Sequence, residues 1–141
     1  MSKYKFVGFQ EHIEIPEGFE QLKVDIEFTS PLDRKDAFHL LSNPELISKW
    51  LFEVVSMNTK QGGAITFRVA DAEFDAVITS FVLGKEFSCV SDELGNLKVR
   101  VEKDSKGSRF FAESSLLTDK SDEKTAILEA AFLRLQELAQ Q

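Results

Sequence analysis

The chain has little of what metal or redox chemistry needs. Its 141 residues include one cysteine, Cys89, and two histidines, His12 and His39. A single cysteine excludes an intramolecular disulfide. Two separated histidines and one cysteine within a strand pattern do not make a preformed tetrahedral or facial ligand set, so neither structural zinc nor catalytic iron is expected and no cofactor is assigned. Positive charge is also short: 17 Lys and Arg against 24 Asp and Glu leave a net charge of −7. Nucleic-acid binding needs a basic surface to neutralise phosphates, so that class is excluded. An anionic membrane surface is disfavoured for the same reason. No apolar run approaches the roughly 20 residues of a membrane span. The N-terminal MSKYKFVGFQEH lacks the apolar core of a signal peptide. The expectation is a cytoplasmic protein without membrane insertion. Oligomeric state is not legible.

Polar aromatics are scarce too. One Trp and one Tyr stand against 13 Phe. Phe offers bulk without a polar handle, which suits a core or an apolar pocket lining. Hydrophobic residues make up 43% of the chain, so it is globular, and its length fits one domain that buries roughly 70% of its unfolded surface.

The pattern begins with a strand. Leu22, Val24, Ile26 and Phe28 alternate with Lys23, Asp25, Glu27 and Thr29. Period two places one face inward. Ser30-Pro31 turns the chain into a short helix with Asp33 as N-cap and Asp36 in its first turn. Asn43-Pro44 ends that helix, because the residue before proline is pushed out of the α region. Pro44 then opens a second short helix, PELISKW. Five or six strands follow, spaced by short turns, as in an antiparallel meander. Among them are Glu53–Met57, the run with Ile65, Phe67 and Val69, and the run with Phe74, Ala76, Ile78 and Ser80. The last covers 108–118, with Phe110, Ala112, Ser114 and Leu116 on one side. A helix over about 122–139 closes the chain, with Ser121 as cap and Leu128, Ala131, Phe132, Leu135 and Leu138 as its apolar stripe. Residues 1–20, with the turn Pro16-Glu17-Gly18, form an N-terminal arm or an extra edge strand. Residues 21–141 form the domain.

Isolated candidates rarely make a catalytic site. His39 sits among helix residues and points partly to solvent, and His12 lies in the arm, so neither is given a catalytic role. Cys89 reads as a small buried hydrophobe. Gln61-Gly62-Gly63 is a hairpin turn, too short to cradle phosphate. Asp75 and Glu113 mark the solvent face of the strands, where Arg68 and Arg100 are placed to form cross-strand ion pairs with them.

More telling are the small residues on the inward face. Ala76, Ser80, Cys89, Ala112 and Ser114 stand where a solid core would place larger side chains, and Phe74, Phe87 and Phe110 flank them. Two readings stay open. Small beside large on a concave face leaves a cavity, whose hydroxyls would orient a ligand. The other reading is close approach of helix and sheet with nothing between.

The order of strand, two short helices, antiparallel strands and long C-terminal helix, with the segment SPLDRKDAFHLLSNPELISKWL, resembles the SRPBCC superfamily, the START-like, pollen-allergen-like helix-grip fold. It is most similar to bacterial relatives of the heat-shock-chaperone ATPase activator. Pro31, Asn43-Pro44-Glu45, Trp50 and Gly62-Gly63 match their pattern, over roughly residues 21–140. The tryptophan-rich signature of the eukaryotic co-chaperone is absent, and the polyketide cyclases' His, Arg and Asp arrangements have no counterpart. The resemblance implies an α+β fold, a curved antiparallel sheet of six to seven strands around the C-terminal helix. It also implies a binder of a small apolar or lipid-like molecule that need not catalyse anything. The alternatives are a cyclase- or dehydratase-like enzyme and a co-chaperone-like interaction module. The expected cavity lies between helix and sheet, with its mouth near the two short helices. Its lining would be Trp50, Phe67, Phe74, Ala76, Ile78, Ser80, Ala112, Ser114, Leu128 and Phe132.

Overall fold

The computed structural model describes residues 15–141, so His12 and most of the N-terminal arm lie outside the described residues. The chain runs β1 (Glu20–Ser30), α1 (Arg34–Ser42), α2 (Pro44–Trp50), β2 (Glu53–Met57), β3 (Ala64–Val69), β4 (Ala72–Val82), β5 (Glu86–Ser91), β6 (Gly95–Asp104), β7 (Gly107–Thr118) and α3 (Ser121–Ala139). The fold is α+β: one curved antiparallel sheet of seven strands in the order β1-β7-β6-β5-β4-β3-β2. Every neighbouring pair except β1 and β7 is joined directly in sequence, so the meander reading holds. The chain turns on Pro16 to Phe19 before β1, with the Phe19 N–H bonded to the Pro16 carbonyl at 3.1 Å.

Register places one set of side chains inward. Leu22, Val24, Ile26 and Phe28 of β1 lie opposite Leu116, Ser114, Ala112 and Phe110 of β7. Ser114, Ala112 and Phe110 in turn face Leu97, Val99 and Val101 of β6. A one-residue slip would turn each of these rows to solvent, so burial itself holds the register. The outer face is charged. Arg68 bonds Glu53 and Glu73, both at 2.9 Å. The expected pairs of Arg68 and Arg100 with Asp75 and Glu113 do not form. Arg100 bonds Glu102, two residues along its own strand, and lies over the Phe111 ring at 4.3 Å. Asp75 accepts instead from the Thr66 hydroxyl at 2.7 Å. Register selects these partners: Glu53 and Glu73 lie directly opposite Arg68 on the two flanking strands, and Thr66 lies directly opposite Asp75.

The broken helix forms as its local chemistry dictates. Asp33 Oδ1 accepts from the Asp36 N–H at 2.8 Å and caps α1. Asn43 is extended at φ −90° and ψ 119°, and its Oδ1 accepts from the N–H groups of Glu45 and Leu46. One residue therefore ends α1 and caps α2. The inner face of the pair buries Ala37, Phe38, Leu40, Leu41, Ile47 and Trp50.

α3 lies across the inner face of the sheet, chiefly on β1 and against α2. Leu128, Ala131, Phe132, Leu135 and Ala139 are buried, while Leu138 is half-buried. Its first residue is Ser121, not a cap. Lys120 holds the cap position and makes no side-chain cap bond. The far end is tied to β1: Ser30 Oγ donates to the Ala139 carbonyl at 2.5 Å, and Gln140 Nε2 donates to the Thr29 carbonyl at 2.8 Å. Among the described residues, no helix is long and apolar enough to cross a membrane.

Candidate functional site

Strand register divides the molecule into two ends. The β3–β4 and β5–β6 turns gather at one end, with the start of α3. The β4–β5 and β6–β7 turns gather at the other, with α1. α3 is short of neighbours over β3 and β4, because it packs toward β1. What fills the gap is aromatic. Phe67 and Phe74 have ring centroids 5.4 Å apart, and Phe52, just after α2, stands edge-on to both at 6.0 Å.

Above this cluster a cleft of about 290 Å³ opens between the first two turns of α3 and the hairpin tips. Phe52, Phe74, Leu94, Ile127 and Leu128 make its apolar floor and walls. Glu73, Glu93, Glu123 and Lys124 stand around it. Three carboxylates against one ammonium make the rim acidic. Glu73 is held by Arg68, and Lys124 Nζ reaches the Glu93 carbonyl at 3.4 Å.

Leu94 is the least expected member. It lies in the polar turn DELGN, yet it is only 1% exposed. The turn is locked from three sides. The Leu94 N–H bonds Ser91 Oγ at 3.0 Å, and the Leu94 carbonyl accepts from Ser114 Oγ at 2.5 Å. Gly95 follows at φ +67°, and a Cβ there would run into the Ser115 carbonyl oxygen. A lone leucine inside a polar turn was the signal for this residue.

Two of the ten expected lining residues, Phe74 and Leu128, line this cleft. Phe67 supports it from below and is fully buried, as are Ile78 and Trp50. Ala76 and Ala112 are buried at 1% and 2% exposure, Ala112 on β7, which α3 contacts, and Ala76 on β4 opposite Ile65. Trp50 stands at no mouth. Its Nε1 donates to the Leu40 carbonyl at 2.7 Å, and its own carbonyl accepts from Arg134 Nε at 3.1 Å, so it joins α1, α2 and α3. Ser114 spends its hydroxyl on Leu94. Phe132 lines a separate groove of about 330 Å³ against Val24 and Ile26.

Ser80 is turned away from the inner face. A bulge falls between Ile78 and Ser80: Ile78 pairs with Cys89, but Ser80 pairs with Ser88. The extra residue, Thr79, reverses the alternation. Phe81 therefore points inward, its ring 5.6 Å from Phe38, and Ser80 Oγ donates outward to Glu86 Oε2 at 2.6 Å. The expected mouth near the short helices is also displaced. Only Phe52 comes from that side, and the opening lies among the hairpin tips. Cys89 is buried, and burial pushes its thiol up to about 12 from an ordinary 9.0, so it is no ready nucleophile. Among the described residues, no group of three or more His, Cys, Asp or Glu is placed to hold a metal.

No protein-family profile matches the chain, and no curated protein sequence matches it. Solved structures do share its fold. Protein MLL2253 from Mesorhizobium loti superposes with a TM-score of 0.68 at 14% identity, over 83% of this chain and 96% of that one. Protein SA2116 of unknown function, from Staphylococcus aureus, gives 0.67 at 12% identity, over 86% and 94%. A protein from Rhizobium leguminosarum gives 0.60 at 19% identity, over 84% and 97%. At these identities the likeness is one of fold.

Proposed function

We propose that the protein binds a small, mainly apolar or lipid-like molecule in the cleft between α3 and the β3–β4 hairpin, without catalysis, on a fold of the SRPBCC helix-grip kind. The observation that carries this reading is an apolar recess between helix and sheet, floored by Phe52, Phe74 and Leu128. Concave apolar sites with a few polar groups at the edge are the usual form of ligand pockets. At about 290 Å³ this one stands at the small end of their range. Its acidic rim favours a neutral or cationic guest over an anion.

A neutral fluorescent probe, N-phenyl-1-naphthylamine, tests the reading. The full chain is expected to bind it saturably with a blue shift. Ile127 lines the cleft and is half-buried, so Ile127→Asp should place a charge on the wall without emptying the core. That variant should keep its fold and lose the probe. A wild-type protein that gives no saturable signal, or an Ile127→Asp protein that binds as tightly, overturns the proposal.

A further inference from the structure

At the opposite end of the molecule lies a larger groove, about 570 Å³, between α1 and the β4–β5 and β6–β7 turns. Its charge is opposite to that of the chain. Arg34, Lys35 and Lys103 line it, with His39 beside them, and Asp33 is the only carboxylate in the lining. With His39 neutral the formal charge of the lining is +3 −1, or +2, on a protein of −7. Asp33 is already engaged as the cap of α1, through Oδ1. Among the described residues, Arg34, Lys35 and Lys103 enter no ion pair.

Lys103 has an unusual place in the register. It continues the inward row Leu97, Val99, Val101, so it projects on the side of the sheet that α1 covers. Asp104, its neighbour, approaches Arg109 instead at 3.7 Å. Arg34 crosses the opposite wall, its Nε 3.8 Å from where a Cβ on Gly84 would be. Three cations gathered in one groove repel each other unless an anion joins them, and a groove of one sign concentrates field on such a guest. The remaining wall is apolar. Phe38 is backed by Phe81, and Leu83, 78% exposed, stands at the lip.

We propose that this groove is a second binding site, for a free small molecule that carries a phosphate monoester on an apolar body. A dianion matches the +2 lining. A guanidinium takes two phosphate oxygens through its planar fork, and lysine serves as a point charge. Phe38 and Leu83 would hold the apolar part. The volume fits one small molecule, and the site is independent of the acidic cleft at the other end.

Phenyl phosphate is the probe, titrated into the full chain and followed by backbone amide NMR shifts. Saturable shifts at Gly84, His39 and Gly107 are expected, weakening as salt is raised. Arg34→Ala and Lys103→Ala should each weaken binding about tenfold, as loss of one charge-assisted contact does. Both positions are exposed, so the thermal midpoint should stay put. Ile127→Asp should leave this binding intact, which separates a failure here from a failure of the apolar cleft. Phenol should not bind, and inorganic phosphate should bind more weakly than its phenyl ester. No saturable shift, unchanged affinity in both variants, or equal binding of phenol overturns the site. Binding to phosphatidic acid vesicles with no binding of phenyl phosphate overturns its assignment to a free small molecule.

Discussion

Two serines on the inner row of β7 show how one residue type takes on different energetics. Ser108 and Ser114 are both 0% exposed. Ser114 Oγ donates to the Leu94 carbonyl, whereas Ser108 Oγ has no hydrogen-bond partner among the described residues. Deleting a donor costs the desolvation of the acceptor left behind, and deleting an unpaired hydroxyl costs almost nothing. Ser114→Ala should therefore lose about 1–3 kcal/mol in urea unfolding, while Ser108→Ala should be neutral or stabilising. Equal losses would show that the hydroxyls are not the difference. Cys89 makes a second residue-scale prediction. Its thiol stays protonated in the folded protein up to about pH 12, but ionises near 9.0 once the chain unfolds. Above pH 9 the unfolded state binds fewer protons than the native one, so stability falls as pH rises through that window and is unaffected below it. The slope is up to about 1.4 kcal/mol per pH unit. Cys89→Ala should remove that component, seen as a flatter difference curve between pH 9 and 11.

At the scale of elements, the short helices depend on one side chain. Asn43 Oδ1 accepts from two N–H groups at the start of α2. Asn43→Ala should cost about 0.5–2 kcal/mol, checked by denaturant titration, because α2 has only seven residues over which to distribute the loss. α3 depends on burial instead, since its start carries no side-chain cap. Leu135 is fully buried in the apolar stripe, and Leu135→Ala should cost about 2–5 kcal/mol. A change below about 0.5 kcal/mol would mean that the helix is not docked through this face. Where α3 crosses the sheet there is no void to fill. Ala112 is buried between Ile26 and Val99, its register partners. Ala112→Leu should then destabilise by about 1–3 kcal/mol as overpacking, while leaving the cleft over β3 and β4 in place.

For the whole molecule, the consequential feature is that α3 leans to one side. Its C-terminal end is tied to β1 through Ser30 and Gln140, and its middle packs on β1 and α2. The strands farthest from β1 are then covered by the Phe52–Phe67–Phe74 cluster rather than by the helix, and the recess opens there. The two ends of the sheet also differ in charge, acidic around the α3 start and basic around α1. The −7 total conceals this, because a net charge has no direction.

Period-two alternation, Asp33 as cap, the Asn43-Pro44 break and the apolar stripe of α3 were all legible in the sequence, since each rests on local geometry that neighbouring residues determine. They were enough for element order and fold class. The outward turn of Ser80 was not legible, because a bulge depends on pairing with a strand several residues away. Nor was the burial of Leu94, which rests on Ser91, Gly95 and Ser114 meeting across β5, β6 and β7. The small residues Ala76 and Ala112 suggested space, but packing buries both, and the opening lies among the hairpin tips instead. The sequence by itself determined which segments form and which faces are apolar. Only the tertiary structure decided where apolar faces fail to meet and which charges share a groove, because both depend on contacts between residues far apart in the chain.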